Sequence, residues 1–167
     1  KGREKVIGTT MILLKNPIIL ECMNRNELDF VLFDAEHGVF DTQNVVELLQ
    51  VCRLMELPAF LRAQDCEYHL IAKAIDMGAD GVMIPRTETL EQLRTAVDAL
   101  LFYPEGRKGS GGHGQFRPGE QYADFKKTRF LMPQIESPKG IEMLPKMLEE
   151  YGEYISAVMI GPYDLSI

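Results

Sequence analysis

The sequence has little that would point to nucleic acid, a membrane or an oxidising compartment. It has no basic cluster dense enough to track a phosphate backbone, and its 167 residues carry a net charge of −7. Nucleic acid is therefore not an expected partner. No apolar run reaches the roughly 20 residues that span a bilayer, and no charged-then-apolar leader opens the chain, so no membrane partner is expected. The three cysteines, Cys22, Cys52 and Cys66, are odd in number and show no C-x-x-C spacing. They read as buried reduced thiols of a cytoplasmic protein. Three further absences bear on chemistry. The glycine-rich stretch Gly106 to Gly114 does not fit G-x-x-x-x-G-K-[ST], so it reads as a mobile or subunit-contacting loop, not a phosphate cradle. The first strand-to-helix turn lacks the glycines of a dinucleotide fold. No lysine ends a predicted strand, which disfavours Schiff-base chemistry.

What is present is the composition of a globular domain, 46% hydrophobic and 26% charged. Six short apolar runs read as strands: Val6 to Met11, Asp29 to Asp34, Pro58 to Arg62, Gly81 to Pro85, Arg129 to Ile135 and Ala157 to Gly161. Between them lie helical patterns. Pro17 to Met23 is one. Val45, Leu48, Leu49, Cys52 and Met55 share one helix face, with Asp41 or Thr42 as cap. Leu70, Ile71, Ala74 and Ile75 mark the next helix, which Gly78 is suited to end. Leu90 to Leu101 follows. The last helix starts at Ser137-Pro138, an N-cap and N1 pair, and contains Pro145, which should kink or restart it. Met143 and Met147 fall on its core side. Tyr103 to Thr128 is an added segment rich in glycine and charge.

Strand and helix alternate six times, so a parallel sheet with right-handed crossovers is expected. A doubly wound sheet and a (βα)₈ TIM barrel both satisfy that pattern. Polar residues recur at strand ends (His37, Arg62, Glu136 and Asp164), and a barrel gathers such ends at one mouth. The barrel is favoured. A whole barrel takes roughly 250 residues, so the chain, residues 1–167, reads as a single incomplete barrel domain of about six βα units. Its start without Met and its end at Ser166-Ile167 agree with a fragment.

Glu136 and Asp164 each follow a strand closely. Two such carboxylates can hold one hard divalent cation with positions left for water and substrate oxygens. The bland alternative is acids that satisfy helix N-termini. His37 follows two acids in Asp34-Ala35-Glu36-His37-Gly38 and suits a general base, or is merely solvated. Arg62 can clamp a carboxylate or steady an oxyanion, or pair with Asp34 or Glu36, or do both. His69 reads as solvated. His113 lies in the glycine-rich segment, and Arg86 follows Pro85.

These stretches together resemble the HpcH/HpaI aldolase family, the metal-dependent class II pyruvate aldolases. The resemblance runs from about Ile7 to the last residue. It is carried by D-F-V-L-F-D-A-E-H-G from Asp29 to Gly38, Leu61-Arg62, Asp76 to Ala79 and Val82 to Arg86. Tyr103 to Gly109, Gln134 to Ser137 and I-G-P-Y-D-L-S from Ile160 to Ser166 complete it. It implies a phosphoenolpyruvate/pyruvate-type barrel in homo-oligomers and a lyase splitting 4-hydroxy-2-oxo acids reversibly into pyruvate and an aldehyde. By the same resemblance Glu136 and Asp164 would bind the metal (Mg²⁺ or Mn²⁺, with Co²⁺ possible). His37 would be the acid/base, paired with Asp76, and Arg62 would steady the enolate oxygen. Gln134, Pro162 and Tyr163 would help hold the pyruvate end. Lys108 stands where arginine is usual, and Tyr163 where a small residue is common. A related oxo-acid C–C lyase or decarboxylase, or a catalytically silent fragment, are the competing readings.

Overall fold

The computed structural model describes residues 5–23 and 28–167. Six strands run in chain order: β1 (Gly8–Met11), β2 (Phe30–Asp34), β3 (Ala59–Arg62), β4 (Gly81–Ile84), β5 (Phe130–Ile135) and β6 (Met159–Ile160). Every neighbouring pair is parallel, and the spatial order is β1-β2-β3-β4-β5-β6. A doubly wound sheet would reverse its order at a switch point. No reversal occurs, so the six units form a half-barrel of the (βα)₈ kind.

The helices α1 (Ile18–Cys22), α2 (Thr42–Leu54), α3 (Tyr68–Met77), α4 (Leu90–Leu100), α5 (Tyr122–Thr128) and α6 (Pro138–Tyr151) alternate with the strands, α4 and α5 sharing one connection. Their starts follow from local chemistry. Asp41 accepts from Asn44 N at 2.9 Å, Thr89 and Gln92 form a reciprocal capping box, and Ser137 accepts from Gly140 N at 3.1 Å. Gly78 ends α3 at φ +109°, where a side chain would be strained.

The period of two along each strand divides the sheet into two faces. Val31, Phe33, Leu61, Val82, Ile84, Leu131 and Ile135 pack in the main core, which also takes in helix residues such as Leu48, Ile75, Val97 and Met147. Leu32, Phe60 and Met83, with Phe30, Met132 and Met159, form a second cluster on the inner face. Continuing that inner set towards the strand carboxyl ends gives Asp34, Arg62, Gln134 and Glu136. The inner face thus changes from apolar to charged along the strand direction.

Four expectations need correction. Pro145 lies inside a single helix, α6. Residue 145 is on the exposed side, where the carbonyl it frees can meet water. The added segment contains α5, a seven-residue helix whose one buried side chain, Phe125, packs against Phe102 and Phe116. The glycine-rich stretch is anchored, not loose. Lys108 is buried and pairs with Asp76, Gly114 N–H donates to Asp76 O at 2.9 Å, and Arg53 Nη1 donates to Phe116 O at 3.1 Å. Of the three cysteines only Cys52 is buried. Cys22 is exposed on α1, where Leu20 alone is buried.

Candidate active site

Strand register explains how the polar ends meet. Asp34 on β2 stands opposite Arg62 on β3. Arg62 Nε donates to Asp34 Oδ1 at 2.8 Å, and its Nη2 pairs with Asp34 Oδ2. The same guanidinium reaches Gln134 Oε1 at 3.4 Å and lies 3.2 Å from Glu36 Oε2. Gln134 Nε2 donates to Glu136 Oε2, and Arg86 N–H donates to Glu136 Oε1 at 2.7 Å. One continuous polar network therefore joins the carboxyl ends of β2, β3, β4 and β5.

Asp34 is fully buried and the anchor of this network. It also accepts from Glu36 N at 3.0 Å and His37 N at 3.1 Å, which shapes the turn that presents His37. Burial raises its carboxyl pKa, but the Arg62 hydrogen bond and charge and the two backbone donors outweigh that and hold it below the ordinary value. Glu36 is in the opposite state. Burial lifts its carboxyl above the usual range against the pull of Arg62 and His37, with Glu136 and Asp34 adding repulsion. Its Oε2 is buried and accepts no hydrogen bond. Arg62 is held in its charged form by the hydrogen bond to Asp34.

Glu136 is 6% exposed. Following the β5–β6 register one step past Ile135 and Ile160 puts it beside Gly161. A Cβ at Gly161 would fall 2.6 Å from Glu136 Cβ and 2.7 Å from its Oε2, so glycine leaves the space the carboxylate occupies. Asp164 follows one turn later, in a 3-10 turn (Asp164–Ser166) tied back by Leu165 N–H to Gly161 O at 3.2 Å. We expect Gly161→Ala to lower turnover about tenfold or more by displacing Glu136, with little loss of fold. Steady-state rates beside a circular dichroism melt check this.

The residues singled out from sequence thus divide. Arg62, Gln134 and Glu136 join one network, and His37 stands at its edge with Nε2 3.8 Å from Glu36 Oε1 and a side chain 68% exposed. Asp164, Pro162 and Tyr163 lie exposed on the turn after β6. Asp76 does not join them. It sits in the last turn of α3, which leads into the start of β4, so it lies at the amino-terminal end of the sheet beside Lys108. The His37–Asp76 pairing is not made within this chain. His113 lies in the same region, next to Gly112 and Gly114, which crowd against Asp76. The backbone N–H of Arg86 was not anticipated as a Glu136 partner, nor Asp34 as the hub. The signal for Asp34 was its inner-face parity with Phe30 and Leu32.

Four carboxylates, Asp34, Glu36, Glu136 and Asp164, occupy this end of the sheet with one guanidinium shared among the buried ones. That excess of buried negative charge, with an orphaned Glu36 oxygen, fits a hard divalent cation. Glu136 and Asp164 have the geometry of strand-end ligands, although among the described residues no group of three or more His, Cys, Asp or Glu side chains is gathered.

Parallel βα units in sequential order, with their polar side chains collected at the strand carboxyl ends, define a barrel-type α/β protein that works at that end. Residues 10–167 match the HpcH/HpaI aldolase/citrate lyase family, and the chain belongs to it. It is 32% identical over 156 residues to a hydroxypyruvate/pyruvate aldolase of Delftia acidovorans, covering 90% of this chain and 57% of that protein. It is 32% identical over 143 residues to a 2-keto-3-deoxy-L-rhamnonate aldolase of Salmonella paratyphi B, covering 83% and 53%. The solved structure of an HpcH/HpaI aldolase from Desulfitobacterium hafniense superposes with a TM-score of 0.87 at 28% identity, over 96% of this chain and 63% of that one. The chain spans little more than half the length of the curated relatives it matches. Among the described residues no helix is long and apolar enough to cross a membrane.

Proposed function

We propose that the protein is a carbon–carbon lyase that reversibly splits 4-hydroxy-2-oxo acids into pyruvate and an aldehyde. The observation that carries this is the network from Asp34 through Arg62 and Gln134 to Glu136, one fixed cation set among several acids at a strand-end mouth. Family membership and aldolase relatives support the class of reaction.

A divalent ion held by Glu136 and Asp164 would supply positive charge for the 2-oxo acid end of the substrate. The chain's own residues do the rest. Gln134 and the turn at Pro162 and Tyr163 would bind and orient that end, with Gly161 leaving room. Arg62, fixed by Asp34, presents a preorganised guanidinium where negative charge develops on the 2-oxo oxygen as the C3–C4 bond breaks. His37 would take the proton from the 4-hydroxyl group as that oxygen becomes the aldehyde carbonyl. In the reverse direction it returns the proton. Asp34 fixes the backbone on which His37 stands. The partnership of His37 with Asp76 stays in this reading only as a contact between two copies, in keeping with a homo-oligomer.

The test is pyruvate release from a 4-hydroxy-2-oxo acid. Prolonged EDTA treatment is expected to lower the rate at least about a hundredfold, with recovery on adding Mg²⁺, Mn²⁺ or Co²⁺. A rate that EDTA leaves unchanged would remove the metal from the mechanism.

A further inference from the structure

The carboxyl end of β4 carries a cation that this mechanism leaves unused. Arg86 has φ +41°, in the left-handed region that non-glycine residues rarely adopt. The conformation is fixed on both sides. Its N–H donates to Glu136 Oε1 at 2.7 Å, and its carbonyl accepts from Gln92 Nε2 at 3.1 Å. The next residue, Thr87, is buried. Its N–H donates to Gln134 O at 3.0 Å and its hydroxyl to Ile84 O at 3.1 Å. Backbone strain held this firmly is a mark of a functional position. Glycine would relieve the strain, yet the position carries a long charged side chain.

That side chain is exposed. Among the described residues the other cations of this mouth already have carboxylates: Arg62 has Asp34 and Glu36, His37 has Glu36, and Lys139 lies 3.5 Å from Glu88. Glu88, the acid nearest Arg86 in sequence, is also engaged by Ser137 Oγ at 2.7 Å. No carboxylate among the described residues lies within ion-pair distance of Arg86. Its backbone touches Glu136, and its stem is long enough to carry the guanidinium past that carboxylate to whatever projects from the site.

We propose that Arg86 selects the aldehyde half of the substrate, and that this half bears its own anionic group, a carboxylate or a phosphate. The inference rests on the aldol reading above. Gln134 and the β6 turn serve the pyruvate end from β5 and β6, so a rim cation on β4 is left for the outward-facing half. A guanidinium pairs with either anion through two parallel N–H donors.

The experiment is aldol addition to pyruvate by the wild type, Arg86→Gln, Arg86→Lys and Arg86→Gly, with three aldehydes. Succinic semialdehyde carries a carboxylate, D-glyceraldehyde 3-phosphate carries a phosphate, and propanal is neutral. The wild type should prefer at least one anionic aldehyde, and which one identifies the group. In Arg86→Gln the ratio of kcat/KM for that aldehyde over propanal should fall about tenfold or more, mainly through KM. Arg86→Lys should recover part of the ratio, and added salt should shrink it in the wild type. Arg86→Gly frees the backbone of strain, so the same loss there ties the effect to the cation and not to misfolding. An equal fall for all three aldehydes would reduce Arg86 to a support for Glu136 and overturn the proposal. So would a ratio indifferent to every substitution. A wild type that joins pyruvate to none of the aldehydes would overturn the aldol reading beneath it.

Discussion

Replacing Glu136 by alanine is expected to lower pyruvate release at least about a thousandfold while leaving the sheet intact. Each factor of ten corresponds to about 1.4 kcal/mol of barrier, so the loss is roughly 4 kcal/mol, the scale of a cation that neutralises a developing charge. The structure argues for selective damage to function. Glu136 accepts from Arg86 N–H and from Gln134 Nε2, and neither strand depends on it for register. Removing it leaves two donors that water at the mouth can serve. Mn²⁺ titration by calorimetry gives a readout apart from turnover, and affinity should fall about tenfold or more if this carboxylate is a ligand. Glu136→Gln is the stricter variant. It keeps the volume, but its amide offers one acceptor where two donors converge, so one of them must face an N–H group. It should lose cation affinity nearly as fully as alanine does. Wild-type affinity in both variants would detach Glu136 from any metal role.

The sequence made the strand ends legible because apolar runs that stop at an acid or an arginine are a one-dimensional signal. Arg62, Glu136 and Asp164 were found that way. Which of them touch depends on register, and register is invisible in the order of residues. Asp34 shows the difference. In sequence it is one acid of the pair before His37, whereas in the fold its inner-face parity and its place opposite Arg62 make it the buried hub. Asp76 shows the converse. Resemblance linked it to His37, but a helix that returns from β3 must carry its last turn to the amino-terminal end of the sheet, so one chain holds the two at opposite ends. Helix α5 escaped notice because seven residues with one buried side chain give no periodicity to read. Arg86 was passed over because it follows a proline, and the backbone angle that singles it out exists only in three dimensions.

Arg62→Ala is expected to damage both chemistry and stability, with the stability loss depending on pH. Loss of a preorganised donor at the site of developing charge should cost about 10²- to 10³-fold in turnover. The stability argument starts from Asp34, fully buried and paired with this guanidinium. In the wild type its pKa lies below the ordinary value, so its pairing stabilises the fold above about pH 4 and is lost as pH falls through the lowered pKa. Without Arg62 the burial that raises its pKa is opposed only by the N–H groups of Glu36 and His37. Its folded pKa then rises past the unfolded value, and the folded state resists ionisation. The variant should therefore lose stability as pH climbs above about 4, the reverse of the wild-type dependence. The gap between the two proteins should be small near pH 4 and about 3 kcal/mol at pH 7, in the range for an orphaned buried charge. Urea denaturation at both pH values measures it. Arg62→Met combined with Asp34→Asn removes both charges, and the asparagine oxygen can still accept the two backbone N–H groups. That double variant should regain most of the stability at pH 7 and none of the turnover. A gap that stays the same at pH 4 and pH 7 would mean that Arg62 stabilises the fold by packing, and the electrostatic account of the hub would fail.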